Sequence, residues 1–288
     1  MLLGAHFSIR PSLLRALENA RALNLVAVQI FAYRRHEFYF DSSLSEEKRR
    51  RLEEEMAAWR ETVKQDGVEG IAVHSRAVAL LAIRDKARRG QIIVKFRQEL
   101  ELARMLKARW YVFHLGPYEE DGSLDEGLAL AGAALEEILE SARPGAPAIA
   151  LENVPGGARR MGADLRELAA INRRLERFGA QFGFCLDFAH LWGAGYDLTS
   201  REKAQKFFEE FSGRLGAKKL LLLHLNNSNL PLAGRKDEHA HLDQGHIPAE
   251  VYAEALNRWG AAAGFLETPK DFPDADRRNI AFLKKLTG

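Results

Sequence analysis

Thiol chemistry is nearly absent from the 288-residue sequence, whose single cysteine is Cys185. That excludes an internal disulfide and the small stapled folds that depend on one, and it makes a reducing, cytoplasmic compartment the expectation. No apolar run reaches the ~18–20 residues of a membrane-spanning helix. The opening MLLGAHFSIRPS has neither a basic first segment nor a long apolar one, so no secretory leader is expected. An excess of one charge is lacking too. With 42 basic and 40 acidic residues the net charge is +2, too balanced to announce a nucleic-acid binder on charge alone. The basic runs YRRHEF (33–38), EKRRR (47–51) and RDKARRGQ (84–91) read first as solvated helix faces. No G-x-G-x-x-G follows a strand candidate, which argues against a dinucleotide-binding fold.

What the chain does have is apolar mass, 47% hydrophobic residues against 28% charged, enough for a sizeable core. The mass is ordered. Short apolar runs occur at LLGAHFS (2–8), AVQIFAY (27–33), GIAVHSR (70–76), WYVFHLG (110–116), AIALENV (148–154), FGFCLDF (182–188), KLLLLHLN (219–226) and AGFLETP (263–269). Between them lie segments such as SLSEEKRRRLEEEMAAWRETVKQ and DLRELAAINRRLERFG, with apolar residues three and four apart. Ser43 or Ser45, Asp125, Asp164 and Ser200 stand where helix N-caps are expected. Eight near-continuous apolar strands alternating with amphipathic helices predict an α/β protein, a single (β/α)8 barrel filling residues 1–288 as one domain.

Nearly every predicted strand acquires an ionisable residue toward its C-terminal end. In order these are His6, His74, His114, Glu152, Asp187 with His190 just beyond, His224 and Glu267. Only the second strand lacks one, running instead into Tyr33, Arg34 and Arg35. In a barrel the C-terminal strand ends meet on one rim, where catalytic groups collect. Burying so many histidines and carboxylates without partners would cost several kcal/mol for each unpaired charge. A divalent cation removes that cost, because carboxylates and neutral imidazoles are ligands that zinc and manganese accept.

The stretch GRKDEHAHLDQGH (234–246) follows the seventh strand and packs three histidines and three acidic residues into ten positions from Asp237 onward. It has no hydrophobic period, so it reads as a long loop, and long loops within compact domains usually carry function. Asp237 and His239 are two apart, so in extended chain their side chains point the same way, placing them to close over the rim beside His190.

Taken together the motifs GAHFS, IFAY, FHLG, LENVPGG, CLDFAHLWGAGYDL, HLNNS, GRKDEHAHLDQGHI and LETP run nearly end to end, and with them the chain resembles the endonuclease IV family of zinc-dependent apurinic/apyrimidinic endonucleases. CLDFAHLWGAGYD is the most specific of these. The resemblance implies a deoxyribonuclease IV-type hydrolase with three divalent metal ions, most simply Zn2+, with Mn2+ an alternative. It implies a first ion on His74, His114 and Glu152, a second on Glu152, Asp187, His224 and Glu267, and a third on His190, Asp237 and His239. Glu152, shared between two ions, is the catalytic candidate. The implied reaction is hydrolysis of the DNA backbone 5′ to abasic sites in base excision repair, with trimming of blocked 3′ ends as a second use. The implied partner is double-stranded DNA containing abasic sites, met by a monomer, with no membrane involved.

Four positions depart from the family pattern: His36 and Ala77 where wedge residues are usual, Asn227 in HLNNS, and Glu238 between Asp237 and His239. All four are expected on the DNA-facing surface, with Arg76, Tyr33 or Trp192 as possible compensation. Cys185 is expected to be a small core residue and His6 to orient a ligand or phosphate. His241 and His246 are surplus to the ligand set and are expected to face solvent or phosphate. Gly156, Gly157, Gly193 and Gly195 are expected to serve loop geometry. Two other readings stay open: a sugar isomerase or epimerase of the xylose-isomerase-like barrels, needing one or two ions, and a lesion-binding protein without turnover.

Overall fold

The computed structural model describes residues 1–34, 37–76, 78–260 and 262–286. Eight strands, β1 (Leu2–His6), β2 (Ala27–Phe31), β3 (Gly70–His74), β4 (Trp110–His114), β5 (Ala148–Glu152), β6 (Phe182–Asp187), β7 (Leu220–His224) and β8 (Ala263–Leu266), close into one barrel in sequence order. Every neighbouring pair is parallel, including β8 with β1. The predicted (β/α)8 barrel is the fold observed.

Each strand is followed by helix: α1 (Leu14–Ala22), α2 (Glu46–Gln65), α3 (Lys86–Met105), α4 (Leu124–Glu140), α5 (Leu165–Leu175), then α6 (Phe188–Ala194) and α7 (Arg201–Leu215) after β6, α8 (Ala249–Arg258) and α9 (Ala275–Leu286). Ser45, Asp164 and Ser200 accept from the backbone N–H of Lys48, Arg166 and Lys203, as their sequence positions predict. Asp125 does not cap. Ser123 holds that place, accepting from the Glu126 N–H at 3.2 Å, while Asp125 lies in the first turn and complements the helix dipole.

Strand side chains alternate between two apolar environments. Ile30, Val28, Val73, Tyr111, Phe113, Leu151, Phe184 and Leu223 face outward and bury the helices. Ala27, Ala72, Trp110, Val112, Ala150, Cys185, Leu222, Ala263 and Phe265 fill the lumen as a separate cluster. Gly4 is small because the lumen is full: a Cβ there would stand 2.6 Å from the Phe265 ring. Cys185 is a fully buried lumen residue, as expected, and burial pushes its thiol up to about 12, so it stays protonated.

Candidate metal centre at the barrel mouth

Above the apolar lumen, the same alternation places His6, Gln29, His74, His114, Glu152, Asp187, His224 and Glu267 in one layer, one from each strand or its end. Register fixes the layer: His6 pairs with Gln29, His114 with Glu152, and Asp187 with His224. All the ionisable strand-end residues singled out in the sequence meet here. The second strand contributes as well, through the fully buried amide of Gln29, which an inventory of ionisable groups misses.

Glu152 sits at the centre with no exposed surface. Its Oε2 lies 3.0 Å from His74 Nε2 and 3.3 Å from His114 Nε2, and its Oε1 lies 2.8 Å from His224 Nδ1. One carboxylate therefore faces two groups of donors. The second group continues with Glu267 Oε2 at 3.3 Å and Asp187 Oδ2 at 3.8 Å from His224 Nδ1. Asp187 divides its oxygens: Oδ1 caps α6 by accepting from the His190 N–H at 2.8 Å, while Oδ2 faces the mouth, 3.6 Å from His239 Nε2. Asp237 Oδ1 is 3.1 Å from His190 Nε2 and 3.5 Å from His239 Nε2. The loop after β7 thus brings Asp237 and His239 to His190, as the sequence predicts.

Distances decide whether such groups suit a metal. Ligands held about 2.0–2.2 Å from a common tetrahedral centre stand about 3.3–3.6 Å from one another. The donor spacings of 3.0–3.5 Å within the first and third groups come close to that. Among the described residues, His239 Nε2 is buried without a hydrogen-bond partner although two carboxylates flank it, which suits a lone pair directed at a cation. Three of the far ring nitrogens are anchored, that of His114 not among them: His74 Nδ1 to the Ser75 carbonyl at 2.9 Å, His190 Nδ1 to the Asn153 carbonyl at 3.0 Å, and His239 Nδ1 to the Glu267 carbonyl at 3.1 Å. Each carbonyl can only accept, so the proton resides on the anchored nitrogen and the other is free to coordinate.

Electrostatics agree. Burial opposes ionisation of Glu152, yet the charges of His114 and His224, with hydrogen bonds from His190 and His224, hold its carboxyl well below the usual range. Burial also opposes charge on His190, but Asp187, Asp237 and Glu152 drive it well above its ordinary value. Burial, with His74 and His190 nearby, pushes His114 down to about 4. Glu152 is thus ionised and calls for positive charge, supplied by protons on imidazoles or by cations that displace them.

Asparagines support the ligands. Asn226 Nδ2 donates to Asp187 Oδ2 at 2.5 Å, and its Oδ1 accepts from the Glu267 N–H at 2.8 Å. Asn153 Oδ1 accepts from the Asp187 N–H at 2.7 Å. Their only sequence signal is position, each standing one or two residues beyond a ligand at a strand end. His6 lies with Nδ1 3.0 Å from Glu267 Oε1, matching its expected orienting place.

Several expectations about the outer surface need correction. Asn227 is fully buried and faces no DNA: its amide donates to the Leu242 and Ile247 carbonyls and accepts from the Ser228 and Ile247 N–H groups, clamping the loop. His241 is buried between Asp271 at 2.9 Å and Asn279 at 2.9 Å rather than facing solvent. Trp192 is buried with Nε1 donating to the Leu230 carbonyl, and exposed His246 stacks on it. Tyr33 donates to Glu99, and Arg34 is buried in a bidentate pair with Glu55 at 2.7 and 2.8 Å. Of these only His246 is exposed, as expected; the others are held by internal partners. Arg76 and Glu238 are exposed, and the Arg76 guanidinium lies 5.3 Å from the Phe31 ring at the edge of the mouth. Gly156, Gly157 and Gly195 have positive φ as loop glycines, but Gly193 lies within α6, where a Cβ would stand 2.7 Å from Pro155. His36, Arg35 and Ala77 lie outside the described residues.

Comparison with known proteins places the chain among relatives. A model of the xylose isomerase-like TIM barrel family matches residues 17–286. A probable endonuclease 4 from Oleidesulfovibrio alaskensis is 31% identical over 99% of this chain and 95% of its own length. The crystal structure of endonuclease IV from Thermus thermophilus superposes with a TM-score of 0.78 at 26% identity, covering 100% of this chain and 99% of the other. A D-tagatose 3-epimerase-like protein superposes at 0.72 with 24% identity over 100% and 97%, a likeness of fold alone.

Proposed function

Because the chain belongs to the xylose isomerase-like TIM barrel family and, within it, to the endonuclease IV group, we propose that it is a DNA-cleaving hydrolase, a metal-dependent phosphodiesterase that cuts the backbone 5′ to abasic sites. The same site would trim blocked 3′ ends in base excision repair. The observation that carries this reading is Glu152, a wholly buried carboxylate whose two oxygens face two separate sets of donors, with a third set completed by the loop after β7.

Three divalent ions, most simply zinc, would be held by His74, His114 and Glu152; by Glu152, Asp187, His224 and Glu267; and by His190, Asp237 and His239. When bound, such ions supply Lewis-acid polarisation of phosphoryl oxygens and bring the acidity of water near neutral pH. The chain's own residues do the rest. The anchored imidazoles hold their lone pairs toward the mouth. Asn226 fixes the Asp187 carboxylate at the mouth, and Asn153 holds the Asp187 backbone N–H. Arg76 offers an exposed cation to a phosphate beside the opening, a contact that positions backbone without reading sequence. A buried layer inside a barrel cannot be reached by a base-paired nucleotide, so the substrate nucleotide must leave the stack, and a residue without a base leaves most cheaply.

The sugar-epimerase reading requires neither the His190 group nor the Asp237–His239 loop. The deciding experiment is incubation of purified protein with a duplex carrying one abasic analogue. Incision on the 5′ side, abolished by chelation and restored by zinc or manganese, is expected. An uncut duplex with metal-replete protein, or turnover of a free ketose instead, overturns the reading.

A further inference from the structure

Gln29 is the one member of the mouth layer that is neither acidic nor basic, and it is fully buried on β2. Its amide has acceptors and donors that admit only one assignment. Nε2 lies 2.6 Å from Glu267 Oε1, a carboxylate oxygen that can only accept, so Nε2 is the donor there. The amide oxygen must then face the other way, and it lies 2.9 Å from His224 Nε2. An amide oxygen cannot donate, so His224 must carry its proton on Nε2. Its Nδ1 points at Glu152, Glu267 and Asp187, so with Nε2 holding its own proton, Nδ1 is the nitrogen whose proton a cation can replace. Gln29 Nε2 also lies 3.2 Å from His6 Nδ1, which itself stands 3.0 Å from Glu267 Oε1, so the three side chains meet in one cluster.

We propose that Gln29 is a positioning residue that locks His224 in its Nε2–H tautomer and holds Glu267 in place, so that both present ligand atoms to one cation. This rests on the metal-site reading above and deepens it, assigning the second strand its part in the layer. The apolar residues around it on β2 show that the amide is a choice of the site and not of the strand: Val28 and Ile30 pack outward and Ala27 lies in the lumen below. Outer partners of metal ligands typically change metal affinity by about 10–100-fold when lost.

The test compares zinc-loaded wild type with Gln29→Leu, which keeps the size and loses both hydrogen bonds, and Gln29→Glu, which keeps the acceptor toward His224 and loses the donor toward Glu267. Zinc release is titrated against a competing chelator, and imidazole tautomers are read by nitrogen-15 NMR. Expected for Gln29→Leu is a loss of about 10–100-fold in affinity for one zinc, with the zinc on His74 and His114 unmoved and the Nε2–H signature of His224 gone. Expected for Gln29→Glu is weaker zinc binding with the His224 signature retained; should the leucine variant not fold, this arm decides alone. Affinities within twofold of wild type, or an unchanged His224 signature in a folded leucine variant, overturn the proposal. Wild type that holds no zinc at all would instead sink the metal-site reading itself, so the two failures are distinguishable.

Discussion

The lower lumen and the mouth are built by the same strands with the same alternation, yet they share almost no chemistry. Below, the inward positions are Ala27, Ala72, Trp110, Val112, Ala150, Leu222 and Phe265, a dry plug in which glycine and alanine make room for two large rings. One inward step higher, the positions are His6, Gln29, His74, His114, Glu152, Asp187 and His224, and nearly every polar atom has a partner across the barrel. The contrast teaches that stability and chemistry are separated along each strand by a single pleat, about 6.6–6.8 Å at two residues. The plug can be rigid because it carries no function, and its rigidity is what fixes donor spacings above it.

Mutations should break this separation cleanly in either direction. The largest effect belongs to the mouth: Glu152→Ala should lower incision of an abasic duplex by about 10³-fold or more, with metal content reduced and far-ultraviolet circular dichroism unchanged. The plug should behave oppositely. Phe265→Ala should cost about 3–5 kcal/mol in urea unfolding while zinc stoichiometry and the rate per folded molecule stay near wild type. A loss of metal in that variant would show the two layers to be coupled.

Outside both layers, Glu55→Gln should cost about 3 kcal/mol at neutral pH by leaving the Arg34 guanidinium short of its partner. Burial pushes the Glu55 carboxyl up, but hydrogen bonds from Arg34 and the Leu13 N–H, with the Arg34 charge, hold it below the usual range. A depressed folded value means the stabilisation is complete above the unfolded pKa, about 4.3, and is lost as pH falls through the folded value. The gap between wild type and variant should therefore shrink in acid unfolding series below about pH 4. The smallest effect is Ser123→Ala, about 1 kcal/mol from the lost cap of α4, with no change in metal.

The barrel was legible because its strands are apolar runs and its helices keep a 3.6-residue period, and because ionisable residues punctuate strand ends. Of the nine residues that the family resemblance implied as metal ligands, His74, His114, Glu152, Asp187, His224 and Glu267 stand at strand ends, His190 lies on α6, and Asp237 and His239 arrive on the loop after β7. What was hidden is whatever depends on partners distant in sequence. Gln29 carries no charge, and only its place in a closed layer gives it meaning, with partners at His6, His224 and Glu267. Asn227 reads as a surface polar residue in HLNNS, but its four hydrogen bonds fold the loop back on itself. Arg34 stands in a basic run yet is matched by a glutamate twenty-one positions away on α2. Residue type announces polarity; burial and pairing decide whether that polarity faces a substrate or a neighbour.

Elemental analysis of protein purified without chelator tests the central claim most directly, since the three donor sets at the mouth either cage cations or do not. Three zinc-class ions per chain, falling to two when His239→Ala removes a ligand of the third set, is the result expected. One ion or none per wild-type chain, or a count indifferent to His239, would contradict the account.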